Sequence, residues 1–430
     1  MKVKMNYNKT EIQQGIQLHT INTDNFKTNL IAVFLTIPLS RETVTKNTLI
    51  SMLLRRGTKN MTSQEKISIE LENMYGASFD CGIEKTGDNH VIKFYLESLN
   101  DEYLPQKEKL LADSINKLLE IVFNPLIENE GFKEEYLKGE KENLKQIIEG
   151  KIDDKATYAL NRCIEEMYKN KPYGLYKYGY IEDIENINAH NLYEYYKKLI
   201  SECKIDIFVS GKLEDNIQEI VKENENIKTL KPREPKYVVN NEQTEKKETQ
   251  KEINNITENM DVTQGKVVIG LNINDYNLDS RHTALVYNAI LGGTANSKMF
   301  QNVREKESLA YTAGSNYLRQ KNNIFIRCGI EIPNFEKAIK IIKEQIEDMK
   351  QGKFTEEDIQ NAKESILSTI RGIHDEQDTE ITYYLGQELS NLELSIEEYM
   401  NKIKNVNKEQ IVDLANKISI DTIYFLNSNN

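Results

Sequence analysis

Residues 291–311 read Leu-Gly-Gly-Thr-Ala-Asn-Ser-Lys-Met-Phe-Gln-Asn-Val-Arg-Glu-Lys-Glu-Ser-Leu-Ala-Tyr, and they decide the fold because their framework occurs twice. In the second half, strand Val267–Asn272 leads to a helical stretch ending Ile290-Leu-Gly-Gly-Thr294, then Tyr311-Thr-Ala-Gly-Ser315, then strand Ile324-Phe-Ile-Arg327. In the first half, the alternating strand Leu30–Ile37 leads to a helical stretch ending Leu53-Leu-Arg-Arg-Gly-Thr58, then Tyr75-Gly-Ala-Ser78, then strand His90–Leu96. The offset is constant, since 293 − 57 = 236 and 311 − 75 = 236. A shared order with a shared offset marks two copies of one domain.

Between the copies, residues 240–252 (NNEQTEKKETQKE) contain no apolar side chain and follow Lys231-Pro-Arg-Glu-Pro235. Such a segment cannot repay its ordering entropy, so an exposed, mobile linker is expected. The expected division is a first domain over 1–228, a linker over 229–261 and a second domain over 262–430. Each copy continues with amphipathic helices, expected over Leu104–Val122, Glu134–Gly150 and Lys155–Lys169, and over Phe335–Gln351 and Thr355–His374. Phe335, Ile339, Ile342, Ile346 and Met349 fall at three- and four-residue spacing, which suits one face laid on a sheet. Thr355-Glu-Glu-Asp358 after Gly352 reads as a helix cap. Closing strands are expected at Ile205–Ser210 and Thr422–Asn427. The class is α+β, with helices over one face of a largely antiparallel sheet in each domain.

Composition narrows the chemistry. Lys+Arg total 56 and Asp+Glu 68 over 430 residues, a net charge of −12. No basic stripe offsets that balance, which argues against nucleic acid as a partner. The five histidines are isolated, and the four cysteines form no C-x-x-C pair, so neither a zinc knuckle nor a disulfide framework is expected. No stretch approaches the ~18–20 apolar residues of a membrane span. The opening residues MKVKMNYNKTEIQQG lack the apolar core of a secretory leader. A cytoplasmic bacterial protein is the expectation.

The segment 291–311 resembles the second-domain signature of the insulinase/pitrilysin and mitochondrial-processing-peptidase family of zinc peptidases. Arg55-Arg-Gly-Thr58, Leu71-Glu-Asn-Met-Tyr-Gly-Ala77 and Tyr173-Gly-Leu-Tyr-Lys-Tyr-Gly179 resemble its first half. The run from Phe26-Lys-Thr-Asn29 through Pro38-Leu39 to Tyr75-Gly-Ala77 is similar to a clostridial and bacillar subgroup. Some of that subgroup are labelled elongation factor P 5-aminopentanol modification-associated proteins. The resemblance implies two homologous domains in a clamshell arrangement. It also implies that an active subunit carries H-x-x-E-H on the helix before the R/K-G-T element, where two histidines hold zinc and the glutamate serves as base. Counting back from Gly57, those positions hold Thr48-Leu49-Ile50-Ser51-Met52, with no ligand and no base. Leu49, Ile50, Leu53 and Leu54 read as core, and the acidic helix Glu140–Asp154 lacks partners for a metal.

Arg304 and Tyr311, in contrast, match the family's Arg and Tyr that bind substrate carbonyls or stabilise an oxyanion, work suited to a fixed guanidinium and a phenol. Ser308 departs from the family's Gly. Taken alone, Arg304 could be a solvated helix face and Tyr311 a half-buried strand residue. Gly292 and Gly293 read first as a helix C-cap and turn, with peptide binding by their backbone a second role. His90, His282 and His374 read as structural, Asp153-Asp154 as a helix cap, and Cys163 and Cys328 as small buried residues. The reading is a non-catalytic subunit with no cofactor of its own. Its expected partner is a paralogous zinc-bearing subunit with intact H-x-x-E-H, and its expected substrate is an extended peptide. The alternative is a peptide-binding or scaffold protein with no peptidase role.

Overall fold

The computed structural model describes residues 7–214, 216–240, 252–275, 277–307 and 310–429. Residues 241–251 of the expected linker lie outside them. The first half contributes strands β1 (Tyr7–Gln13), β2 (Ile16–Asn22), β3 (Thr28–Pro38), β4 (Ser78–Thr86), β5 (Asn89–Leu99) and β6 (Lys204–Gly211). Its main helices are α1 (Val44–Leu54), α2 (Gln64–Asn73), α3 (Leu110–Phe123), α4 (Glu134–Glu149), α5 (Lys155–Met167) and α6 (Ala189–Glu202). The second half contributes β7 (Asn254–Met260), β8 (Gly265–Ile273), β9 (Ala310–Leu318), β10 (Asn323–Ile330) and β11 (Ile418–Ser428). Its helices are α7 (Ser280–Asn288), α8 (Phe335–Lys350), α9 (Glu356–Arg371), α10 (Gln377–Glu388), α11 (Ile396–Lys404) and α12 (Lys408–Ala415).

Two sheets repeat one topology. The first is ordered β1-β2-β6-β3-β5-β4, the second β7-β11-β8-β10-β9. Each is antiparallel except for one parallel pair, β2 with β6 and β11 with β7. Strand β3 is buried along almost its whole length because it lies between β6 and β5 under the helices, which is why its sequence is a continuous apolar run. β8 holds the same central place between β11 and β10. The α+β class and the duplication therefore hold, and among the described residues no sheet closes into a barrel.

The chain divides into two compact units that are not contiguous halves. One comprises 1–150, 175–238 and 374–386; the other comprises 151–174, 239–373 and 387–430. Helix α5, from the first half, thus belongs with the second sheet, where Tyr158, Ala159, Cys163 and Ile164 pack with Val268, Phe325, Tyr424 and Leu426. Helix α10, from the second half, belongs with the first sheet, where Gln377 Nε2 donates to the Ser210 carbonyl at 3.0 Å and Tyr384 stacks on Tyr7. This division differs from the contiguous one by the exchanged helices. It also differs by β7, which lies inside the span 229–261 yet pairs along β11.

The remaining helices follow their apolar spacing. Ile339, Ile342, Ile346 and Met349 of α8 are buried, and Thr355 and Asp358 form the cap of α9 by mutual hydrogen bonds. One helix starts later than expected: 104–109 is irregular and α3 begins at Leu110. Pro105 accounts for this, because it holds Leu104 in an extended conformation and supplies no amide donor.

Candidate functional site

The helix corresponding to the zinc-ligand helix is α1. Leu49, Ile50, Leu53 and Leu54 lie in the first unit's core, as expected. Thr48 Oγ1 donates to the Val44 carbonyl at 3.1 Å and Ser51 Oγ to the Thr48 carbonyl at 2.8 Å. Both hydroxyls thus bond backbone carbonyls, Thr48 Oγ1 also reaching the Lys177 carbonyl at 3.4 Å, and Met52 packs against the core. Cys81 donates to the Ser51 carbonyl at 3.4 Å. Burial pushes its thiol up to about 11 although Arg55 opposes the shift, so it stays protonated and a poor ligand.

Glu140 is buried on α4, where Arg56 Nε pairs with its carboxylate and Asn143 Nδ2 donates to it at 3.1 Å. The Arg56 fork also reaches Gln64 Oε1 at 2.9 Å. Among the described residues no group of three His, Cys, Asp or Glu side chains could hold a metal ion. The residues at this place do not fit zinc: its one carboxylate is neutralised by a guanidinium, and two hydroxyls and a thioether stand at the ligand and base positions.

In the second unit, α7 runs into π-helical turns over Ala289–Gly293, and a second π-helical stretch covers Met299–Lys306. Widened turns of this kind are rare and recur at functional sites. The C-cap expected of the glycine pair falls instead on Thr294, whose backbone is extended, and neither glycine has a positive φ. Close approach explains them better. A Cβ on Gly292 would stand 2.6 Å from the Ser315 amide nitrogen, and one on Gly293 2.9 Å from Asn288 Nδ2. Glycine thus lets the helix end lie against β9.

Arg304 stands in the last turn of the second stretch, half exposed. Its guanidinium lies 4.6 Å from the Phe300 ring centre, and Nε is 3.7 Å from Glu305 Oε1, a weak surface pair. Tyr311 is the second residue of β9 and is 63% exposed, more than the half-buried strand residue of the alternative. Ser308 lies outside the described residues.

The glycine pair borders a pocket of about 430 Å³, wholly within the second unit. Its walls are Ala156, Lys266–Val268 of β8, Thr312–Asn316 of β9 and Arg327–Gly329 of β10. Arg304 and Tyr311 do not line it. Lys266 and Arg327 do, and sequence reasoning passed over both. Their available signal was a cation at the end or start of an otherwise apolar strand pattern.

The remaining polar candidates are structural. His90 is buried against Asn47 Nδ2 at 3.0 Å, and burial pushes it down to about 4, hence neutral. His282 contacts the Asp279 carbonyl and is likewise pushed down by burial to about 4. His374 lies in a short turn beyond α9 rather than on the expected helix, 3.0 Å from Glu380. Asp154 caps α5, and Cys163 and Cys328 are buried.

Residues 186–366 match the family model described as the peptidase M16 inactive domain. The chain is 36% identical to the probable inactive metalloprotease YmfF of Bacillus subtilis over 96% of both chains. Among solved structures it is similar to a conserved protein from Enterococcus faecalis (29% identity, TM-score 0.89, 99% of both chains). It also shares the fold of a peptidase M16 inactive domain from Pseudomonas fluorescens (16% identity, TM-score 0.78, 99% of both chains).

Proposed function

Since the chain belongs to the peptidase M16 family as an inactive member, we propose that it is the non-catalytic subunit of a two-subunit zinc peptidase of the cytoplasm. A paralogous partner with intact H-x-x-E-H holds the zinc, and this chain supplies Arg304 and Tyr311 from its second unit. The two subunits close as a clamshell on an extended peptide. The peptide adds to a sheet edge, and β4 and β9 are the terminal strands of the two sheets.

One contrast carries the reading. The ligand and base positions are filled by Thr48, Ser51 and Met52, while Arg304 and Tyr311 are present and accessible. Oxyanion-type donors without metal ligands suit a chain whose partner brings the metal. The test is co-expression with the zinc-bearing paralogue. Arg304→Ala should lower kcat of the complex by about 10²–10³, the usual loss for one oxyanion donor, with Tyr311→Phe in the same direction. Unchanged activity in both variants would leave a binding or scaffold protein with no peptidase role.

A further inference from the structure

We propose that the pocket beside Gly292 and Gly293 receives a carboxylate of the bound peptide, with Lys266 and Arg327 as its counter-charges. This rests on the peptide-binding reading above and adds the chemistry of one peptide position to it.

The strand register places the two cations together. Val268 of β8 stands opposite Arg327 of β10, and Lys266 opposite Gly329. Side chains alternate along a strand, so Lys266, Val268 and Arg327 share one face. That face is the one on which α5 packs, since Val268 belongs to the cluster formed with Tyr158 and Cys163. The partner of Arg327 on β9 is Gly314, and that of Gly329 is Thr312. Two glycines, Gly314 and Gly329, thus stand beside the two cations. A Cβ on Gly329 would come within 3.0 Å of Thr312 Oγ1 and Gln264 Oε1.

Neither cation has an ion pair among the described residues. Lys266 Nζ donates to Gln264 Oε1, and Arg327 Nη2 to Asn316 Oδ1 at 2.7 Å. Asp154 is the acid that bears on Lys266, and its carboxylate is already committed. It accepts from the Ala156 and Thr157 amides at 3.0 and 3.1 Å and from Thr157 Oγ1 at 2.6 Å. No acidic side chain lines the pocket. In a chain with a net charge of −12, two such cations on one sheet face form a local exception. Burial also lowers the Lys266 pKa, a desolvation cost that an anion would offset.

A peptide is the favoured carrier because five consecutive residues of the edge strand β9, Thr312–Asn316, line the pocket. An extended chain lying along these residues would present every second side chain to one face. The carboxylate can come from an Asp or Glu side chain or from the chain terminus.

The experiment uses the full chain and three fluorescent decapeptides of alternating Val and Thr. One is capped at both ends with a central Glu, one is capped with Gln there, and one has Gln and a free C-terminal carboxylate. Anisotropy titrations should show the Glu or the free-acid peptide bound about tenfold or more tightly than the capped Gln peptide. Which of the two it is identifies the source. The gap should narrow with added salt and vanish in Lys266→Met and in Arg327→Gln. It should return in Arg327→Lys, while the affinity for the capped Gln peptide stays the same. Equal affinity for all three peptides, or a gap that survives both charge-removing variants, overturns the carboxylate pocket and leaves peptide binding standing. Binding of none of them overturns both.

Discussion

Arg56, just beyond α1, and Glu140 of α4 share a partly buried charge pair. Removing one partner of such a pair strands the other, which costs more than removing both. Glu140 is 3% exposed but Arg56 is a third exposed, so solvent softens the loss. Arg56→Ala should destabilise the protein by about 2–3 kcal/mol, below the 3–5 kcal/mol of a fully buried pair. Arg56→Met combined with Glu140→Leu should recover most of it. Denaturant unfolding of the single and double variants measures both, and a double variant as unstable as the single one would sink the argument. The absence of ligands at Thr48, Ser51 and Met52 was legible in the sequence by counting back from Gly57. The pair itself was not, because its partners lie 84 residues apart and only the fold joins them. Lys266 and Arg327 escaped notice for the same reason: their common face exists only once β8 and β10 are in register.

At the scale of elements, most strands and amphipathic helices were legible because period two and period 3.6 are strong signals in this chain. Strand β7 was not. Its sequence NNITENM is polar at every second position and weak in apolar side chains, and it becomes a strand only by pairing with β11. The placement of α5 was equally hidden, since an apolar stripe does not say which sheet it covers. Glu258 on β7 fixes that choice. It accepts from Tyr158 Oη at 2.6 Å and Arg162 Nε at 3.1 Å, both on α5, and from Tyr424 Oη at 2.8 Å on β11. Burial alone would raise its pKa, but these three donors outweigh it and hold the carboxyl below its ordinary value. Glu258→Gln should therefore loosen α5. The expected loss is about 2 kcal/mol for weakened charge-assisted bonds at a partly exposed site. Amide hydrogen exchange over residues 155–167 should accelerate selectively. Uniform exchange across the second unit instead would mean that Glu258 does not anchor the helix.

For the whole molecule, the duplication was legible in the constant offset of 236 residues, but the reciprocal exchange of α5 and α10 was not. That exchange makes each unit depend on both halves of the chain. A fragment 1–240 would carry α5 with Tyr158, Cys163 and Ile164 and no second sheet to cover them, while its own sheet would lack Gln377 and Tyr384. A fragment 252–430 would lack α5 over Val268 and Phe325. Each large apolar side chain left uncovered forfeits about 1.5–3 kcal/mol, and several of them rival the 5–15 kcal/mol that holds a typical domain folded. Expressed separately, both fragments should aggregate or show a lowered unfolding midpoint by circular dichroism. Expressed together, they should co-purify as a one-to-one complex with the spectrum of the intact chain, because each then receives its exchanged helix. Two fragments that each fold with native-like midpoints would show that the exchanged helices add little to the units they join.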